Sequence, residues 1–232
     1  MLQHLTERYI LMISIDNYIA QLLASLKQEF GPRLRYVGLQ GSYLRGEATE
    51  NSDIDIMVIL DELSISDLDC YRAIVQSLPH SDKSCGFICG EKDLANWNPL
   101  EICSLLHSTK DYYGTLNQFV PTYTEQDIRN FAKLSLNNLY HELCHRRIHS
   151  QTPDSIAKLA GTYKGVFFIL QNLYYLTHGE FIATKADLLL RLHGKNYAVL
   201  QRSIELSNGL PCDFSESFEL LFSWCQETLQ SI

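Results

Sequence analysis

The spacing of apolar and polar positions divides the chain into two halves. In the first half, apolar residues recur at helical spacing over Leu5–Phe30, and Leu34–Leu39 alternates between apolar and polar positions. Ile54–Leu60 is a continuous apolar run rich in Ile and Val, which predicts a strand buried on both faces. The remaining predicted elements of this half are a helix at 66–78, a short strand at Ser84–Cys89 and a helical segment that opens at Asn98-Pro99 and ends near Gly114.

Strand signals disappear in the second half. Thr124 and Asp127 have the spacing of a capping box, which marks the start of a helix. Helical spacing then predicts helices at 127–148, 155–178, 184–192, 196–206 and 215–229. We therefore expect an α/β domain over 1–120 and an all-α helical bundle domain over 121–232, with the polar, proline-containing segment Phe119–Thr124 at the boundary.

Composition narrows the setting of the protein. A chain of 232 residues with 46% hydrophobic content and a net charge of -8 is typical of a globular protein of one or two domains. The acidic balance argues against a nucleic-acid partner and suits a cationic small molecule. Glu7 and Asp16 interrupt the N-terminal apolar residues, and no uncharged run has the length of a membrane span. Because the seven cysteines contain no C-x-x-C pair, we expect free thiols and a cytoplasmic location.

The stretch GSYLRGEATENSDIDI, residues 41–56, carries the candidate chemistry. Residues two apart on a strand point to the same face, so Asp53 and Asp55 should project together. Two adjacent carboxylates repel each other unless a cation neutralises them, and Mg²⁺ accepts one or two protein carboxylates together with water and phosphate oxygens. Gly41 allows backbone N–H groups to approach a phosphate, and the Ser42 hydroxyl can donate to it. The pattern predicts a phosphate-binding turn that faces a metal site.

These residues resemble the signature of the DNA polymerase β-like nucleotidyltransferase superfamily, in which Gly-Ser, ten residues and D-x-D precede an apolar strand. The resemblance implies a nucleotidyltransferase domain with a small mixed sheet, Mg²⁺ as cofactor and ATP or another nucleoside triphosphate as co-substrate. It assigns Asp53 and Asp55 as catalytic metal ligands and Gly41 and Ser42 as nucleotide-binding residues. Arg45 stands where family members often have an arginine, either as a triphosphate contact or as an exposed helix residue.

A longer resemblance, to the streptomycin/spectinomycin adenylyltransferases and more distantly to kanamycin nucleotidyltransferase, covers most of the chain. Its second part is the segment from Lys164 to Lys185, a long apolar helix that ends at Gly-Glu and is followed by Thr-Lys. Lysines of that family segment reach the nucleotide phosphates across the interdomain cleft, which implies the same role for Lys185 and, as a second choice, Lys164. An ordinary corner of a helical bundle would have the same pattern. The implied reaction is transfer of AMP from MgATP to a hydroxyl of a small molecule, such as an aminoglycoside-like cation.

The sequence departs from the family at one position. The superfamily places a third carboxylate, a metal ligand or general base, on the next central strand, and the segment from Lys83 to Gly90 contains no acid. We expect Glu91, just beyond that strand, to act as the base, with Asp93 and Glu101 as alternatives. We interpret Cys85 and Cys89 as buried thiols. If the third acid is missing, the protein is a slow enzyme, takes its base from the helical domain, or is a nucleotide sensor.

Two other functions compete with this interpretation. A nucleotidyltransferase could modify a protein, although the minimal relatives of that kind lack the helical half within the same chain. The run His141-Glu-Leu-Cys-His145 matches the zinc-hydrolase pattern H-E-x-x-H. Arg146 and Arg147 follow it directly, and no third ligand stands in an obvious context downstream, so a chance match on an amphipathic helix is favoured.

Overall fold

The computed structural model describes residues 13–152 and 154–232, which form two compact units. The first unit contains the described residues up to Asn98 together with Ser104–Thr122. The second unit contains Pro99–Cys103 and Tyr123–Ile232. The pattern of apolar positions places 99–103 in the first half, whereas the structure groups these residues with the helical unit.

The first unit is built on a mixed sheet of four strands in the order β3-β2-β1-β4, which confirms the predicted fold class. β1 is antiparallel to both of its neighbours, and β2 and β3 run parallel. The strands are β1 Leu34–Leu39, β2 Ile54–Leu60, β3 Ser84–Gly90 and β4 Lys110–Tyr113. The helices are α1 Ile15–Phe30, α2 Gly41–Arg45, α3 Ile65–Ser77, α4 Glu91–Ala95 and α5 Pro99–His107, whose first turn belongs to the second unit.

The central strand β2 is buried on both faces, as its apolar run predicts. Ile54, Ile56, Val58 and Leu60 join a core cluster that includes residues of α1. Met57 and Ile59 point to the other face and join a separate cluster that includes Tyr36 and Leu94. Burial of these side chains from water drives the sheet together and fixes the register of β2. The start of this strand, where the two aspartates lie, is therefore held by a core on each face.

Two predicted elements of the first unit differ from the structure. α1 begins at Ile15, and the part of the predicted helix over 5–12 lies outside the described residues. The predicted helical segment from Asn98-Pro99 to Gly114 is wrong in its second half, because the helix ends at His107 and Lys110–Tyr113 forms β4 at the sheet edge. A tertiary contact fixes this edge strand, since the Tyr36 hydroxyl donates to Asp111 Oδ1 at 2.6 Å. Pairing with β1 therefore outweighs the local helical spacing.

The second unit is helical, as predicted. Its capping box is confirmed, since the Thr124 hydroxyl accepts from the Asp127 N–H at the start of the first long helix. The predicted helix at 155–178 is two helices, because the Tyr163 carbonyl accepts from the Ser203 hydroxyl at 3.0 Å and Gly165 follows. The helices are α6 Glu125–His149, α7 Ile156–Tyr163, α8 Val166–His178, α9 Lys185–Leu189, α10 Gly194–Ser207 and α11 Phe214–Ser231. Within residues 13–152 and 154–232, no helix combines the length and the hydropathy of a bilayer span.

Candidate active site

The antiparallel pairing of β1 and β2 brings Gly41 against Asp55. Leu39, at the end of β1, pairs with Ile56, and the Gln40 N–H donates to the Asp55 carbonyl at 2.9 Å. The chain then turns into α2 at Gly41, whose φ of +70° lies in the left-handed region. A Cβ atom at this position would lie 1.9 Å from Asp55 Oδ2. Glycine is therefore required by the backbone conformation and by the carboxylate packed against it.

The Asp55 carboxylate is held in a half-buried position with charges on both sides. Burial raises the pKa of Asp55, and the nearby negative charge of Asp53 raises it further. A hydrogen bond from the Cys85 thiol and the positive charge of Arg45 oppose this rise in the pKa of Asp55. Asp53 itself is exposed just before the strand, while Ile54 is fully buried. The two carboxylates therefore face a common polar region at the start of β2.

Cys85 lies directly beside Asp55, on the strand where the sequence resemblance expects a third carboxylate. β3 pairs in parallel with β2, and the register places Cys85 opposite Asp55. The interpretation of both thiols as buried is wrong for Cys85, which is exposed, and right for Cys89, which is buried. Apolar spacing could not reveal this position, because the pairing register of two parallel strands is set by the tertiary fold. A thiol therefore lies beside Asp55 on the strand where the resemblance implies an acid.

The donor set at this position fits Mg²⁺. In the part of the chain that the structure describes, no three His, Cys, Asp or Glu side chains converge on a point where they could hold an ion. Mg²⁺ needs only one or two protein carboxylates when water and nucleotide phosphates complete its six ligands, so Asp53 and Asp55 suffice. Because Gly41 carries no side chain, its backbone approaches the Asp55 carboxylate closely on one side.

The same segment matches a known family. Residues 19–85 match the family model described as the nucleotidyltransferase domain. The matched range contains Gly41, Ser42, Asp53, Asp55 and Cys85. We refer to residues 19–85 as the nucleotidyltransferase domain after this match. The family resemblance drawn from the Gly-Ser and D-x-D pattern is therefore confirmed.

The relatives of the nucleotidyltransferase domain differ in what they modify. Protein adenylyltransferase MntA of Thermococcus cleftensis is 41% identical over 49 residues, which are 21% of this chain and 48% of that protein. The chain thus spans about half the length of the curated relatives it matches. A solved structure shares the fold: spectinomycin adenyltransferase AAD(9) from Enterococcus faecialis, with ATP and spectinomycin. The TM-score is 0.58 and the sequence identity is 14%. The superposition covers 92% of this chain and 98% of that one.

Ser42 and Arg45 lie on α2 of the nucleotidyltransferase domain, immediately after Gly41. Ser42 is partly exposed, and its carbonyl accepts from the Glu47 N–H at 2.9 Å, which closes the turn after this short helix. Arg45 Nε donates to Glu47 Oε2 at 2.8 Å, and both side chains are largely buried. The charge of Arg45 also acts on Asp55. The structure therefore brings Gly41, Ser42, Arg45 and the two aspartates together.

Glu91 lies at the opposite end of the nucleotidyltransferase sheet. In the parallel register Asp55 pairs with Cys85 and Leu60 with Gly90, so Glu91 follows the far end of β3. Glu91 lies six positions after Cys85, which corresponds to roughly 20 Å along an extended strand. Glu91 instead forms an ion pair with Arg35, with an N···O distance of 3.6 Å. The structure therefore does not bring Glu91, the predicted base, close to Asp55, and Asp93, which accepts from the Gly90 N–H at 3.2 Å, lies at the same far end.

The remaining candidates lie outside the nucleotidyltransferase domain, in the second unit. Lys164 is exposed and follows α7, and Lys185 is partly buried as the first residue of α9, which Thr184 caps. Glu101 is exposed on the first turn of α5.

In the H-E-x-x-H run, the Glu142 carboxylate accepts from the Thr162 hydroxyl at 2.8 Å and from Arg146. These contacts occupy the acid that a zinc hydrolase would use as its base, which favours the chance match.

Proposed function

We propose that this chain transfers AMP from MgATP to a hydroxyl of a small molecule. The proposal rests mainly on the packing of Gly41 against the Asp55 carboxylate, which places the backbone of this turn next to a pair of acids. This arrangement allows phosphate oxygens and a metal ion to meet at one point. The matched family supports nucleotidyl transfer, and the neighbour with the shared fold was solved with ATP.

Each residue of the arrangement has a proposed role. Asp53 and Asp55 hold Mg²⁺, which when bound supplies a positive charge that stabilises the charge developing on the reacting phosphate. The Gly41 backbone and the Ser42 hydroxyl bind the β- and γ-phosphates. Further positive charge on the triphosphate comes from Arg45 and Lys185, with Lys164 as the second choice in the helical unit.

The transfer itself is a substitution at the α-phosphorus. The acceptor oxygen forms a bond to this phosphorus, the bond from the phosphorus to the bridging oxygen breaks, and pyrophosphate leaves with the electron pair. The strand position beside Asp55 carries a thiol where a carboxylate base is expected, so the hydroxyl proton passes to solvent in this proposal. Because a positioned base contributes roughly a hundredfold or more to such steps, the proposed transfer is slow.

Two observations support a cationic small-molecule acceptor. The chain carries a net charge of -8, and an acidic surface attracts cations. The chain also combines the nucleotidyltransferase domain with a helical unit, and the similarity to the spectinomycin adenyltransferase fold extends over 92% of its length.

A protein acceptor is the second candidate. Its support is the 41% identity with protein adenylyltransferase MntA, over 49 residues of this chain. The matched residues are 21% of this chain, so the similarity bears on nucleotide handling more than on the acceptor.

Transfer of a labelled nucleotide separates the candidates. The protein is incubated with Mg²⁺, ATP labelled at the α-phosphate, and either aminoglycosides and other cationic alcohols or a cell lysate. We expect label on a small molecule and pyrophosphate release with the wild type, and neither with Asp53→Asn. Label on a lysate protein would favour the protein acceptor. ATP binding without any labelled product would favour a nucleotide sensor.

A further inference from the structure

Three histidines form a row on α6, outside the nucleotidyltransferase domain. His141, His145 and His149 are spaced four residues apart, so their side chains lie above one another on one helix face. All three are exposed. The ring centroids of His141 and His145 are 6.0 Å apart, and those of His145 and His149 are 4.9 Å apart. The two neighbouring pairs of the row therefore differ in spacing.

The closer pair has the spacing of two imidazoles that share one metal ion. An imidazole nitrogen binds a transition-metal ion at roughly 2.1 Å, which places the ring centroid about 3.2 Å from the ion. Two such rings at a square-planar or tetrahedral angle have centroids about 4.5–5.2 Å apart. His145 and His149, at 4.9 Å, fall within this range, whereas His141 and His145, at 6.0 Å, fall outside it.

The charged neighbours of the pair are bound to other groups. Arg146 donates to Glu142, and Arg147 Nη1 donates to Asp154 at 2.6 Å. Each guanidinium thus faces a carboxylate that offsets its charge next to the imidazoles. Within the described residues no third His, Cys, Asp or Glu side chain completes a metal cluster, so water would fill the remaining positions of an ion held here.

We propose that His145 and His149 chelate one divalent transition-metal ion of the Ni²⁺, Cu²⁺ or Zn²⁺ class on the surface of the helical unit. Imidazole nitrogen favours these ions, whereas carboxylate and phosphate oxygens favour Mg²⁺, so this site and the pair Asp53 and Asp55 select different metals. The ion links two successive turns near the end of a 25-residue helix and therefore stabilises its last turns. The proposal is independent of nucleotidyl transfer.

Ni²⁺ titration of the protein without an affinity tag tests the chelate. Ni²⁺ is the probe because Cu²⁺ would oxidise free thiols, and calorimetry measures its affinity for the wild type, His149→Gln, His145→Gln and His141→Gln. We expect each of the first two substitutions to weaken the tightest Ni²⁺ site at least tenfold. His141→Gln is the matched control on the same helix face and should change the affinity less than threefold.

A second measurement separates chelation from folding. Urea unfolding without metal should give the same midpoint for all variants, because the three side chains are exposed. Added Ni²⁺ should raise the midpoint of the wild type and of His141→Gln only. Equal Ni²⁺ affinity in the wild type and in the double variant of His145 and His149, or an equal loss in His141→Gln and His149→Gln, would overturn the proposal.

Discussion

Gly41 shows how much of the candidate site depends on one missing side chain. Two separate constraints act on this residue. Its backbone is left-handed, and an added Cβ atom would lie only 1.9 Å from Asp55 Oδ2. Gly46, at the end of the same short helix, has a φ of +69°, and a Cβ at this position would have nothing within 4 Å. The two glycines therefore share the backbone constraint and differ in the contact with Asp55.

We expect Gly41→Ala to impair MgATP binding and Gly46→Ala to leave it nearly unchanged. Both substitutions place a side chain in the left-handed region, at a cost of about 1–2 kcal/mol of unfolding free energy. Only Gly41→Ala displaces the Asp55 carboxylate, so its MgATP affinity should fall at least tenfold. Calorimetry gives the affinities and urea unfolding gives the stabilities. An equal fall in affinity for both variants would show that backbone strain alone matters.

Cys85 gives the second prediction at this scale. Because Cys85 pairs with Asp55, Cys85→Asp restores a carboxylate at the strand position beside the proposed metal site. A positioned base contributes roughly 10²–10⁴-fold, so we expect AMP transfer to accelerate at least tenfold. Cys85→Asn has nearly the same shape without basicity and serves as the control. Equal transfer rates in the two variants would show that position 85 does not act on the acceptor proton.

Single residues were predictable where the chemistry is local in sequence. Gly41, Ser42, Asp53 and Asp55 lie on one short segment, and strand alternation alone places the two acids together. The prediction for Glu91 rests on its proximity in sequence to the end of β3, and the register places Glu91 at the end of the strand opposite to Asp55. Cys85 was missed for the same reason, since only the pairing of β2 with β3 shows which residue lies beside Asp55.

At the scale of elements, a buried carboxylate links α3 to Arg33, the residue before β1. Asp67, which is 6% exposed, accepts from Arg33 Nη1 at 2.7 Å and from Arg33 Nη2 at 2.9 Å. It also accepts from the Ser64 N–H at 2.9 Å and so completes the capping box of α3. The hydrogen bonds from Arg33, and then those from Ser64, hold the pKa of Asp67 well below its ordinary value.

The lowered pKa of Asp67 predicts a pH dependence of stability. A carboxyl group with a depressed pKa in the folded state contributes stability above its unfolded pKa of about 3.9, and this contribution is lost as the pH falls toward the folded value. We expect Asp67→Asn to be less stable than the wild type at pH 5, and the difference to shrink at pH 3. Urea unfolding at both pH values measures it, with exposed Asp69→Asn as control. A difference that stays constant between the two pH values would contradict this account.

Elements were predictable from sequence where the apolar pattern is strong. β1, β2 and the long helices follow from apolar spacing, and Thr124 with Asp127 marks the start of α6. β4 was not predictable, because a four-residue edge strand is held by its pairing with β1 and by the bond from Tyr36 to Asp111. The break between α7 and α8 depends on the Ser203 hydroxyl, which is distant in sequence.

At the scale of the whole molecule, one proposed nucleotide-binding residue belongs to the helical unit. Lys185 is the proposed contribution of the helical unit to the triphosphate, and the family resemblance of its segment is the basis for this role. Each unit has its own cluster of buried side chains. Nucleotide affinity is therefore the property that tests the proposed role of Lys185.

We expect Lys185→Ala to weaken ATP binding far more than AMP binding. The proposed partners of Lys185 are the β- and γ-phosphates, which AMP lacks. Lys158→Ala is the control, since Lys158 is exposed on α7 and its Nζ donates to the Thr152 hydroxyl at 2.9 Å. Fluorescence titration with both nucleotides measures the effect. Equal losses for ATP and AMP in Lys185→Ala would mean that this lysine has a structural role.

ATP calorimetry tests most directly whether Asp53 and Asp55 bind a nucleoside triphosphate together with Mg²⁺. Affinity is measured with Mg²⁺ and with EDTA for the wild type and for Asp53→Asn, whose fold is checked by urea unfolding. We expect the wild type to bind ATP at least tenfold more tightly with Mg²⁺ than with EDTA, because the two carboxylates repel the triphosphate without a cation. Asp53→Asn should lose most of this difference. Equal affinity of the wild type for ATP with Mg²⁺ and with EDTA would contradict the account.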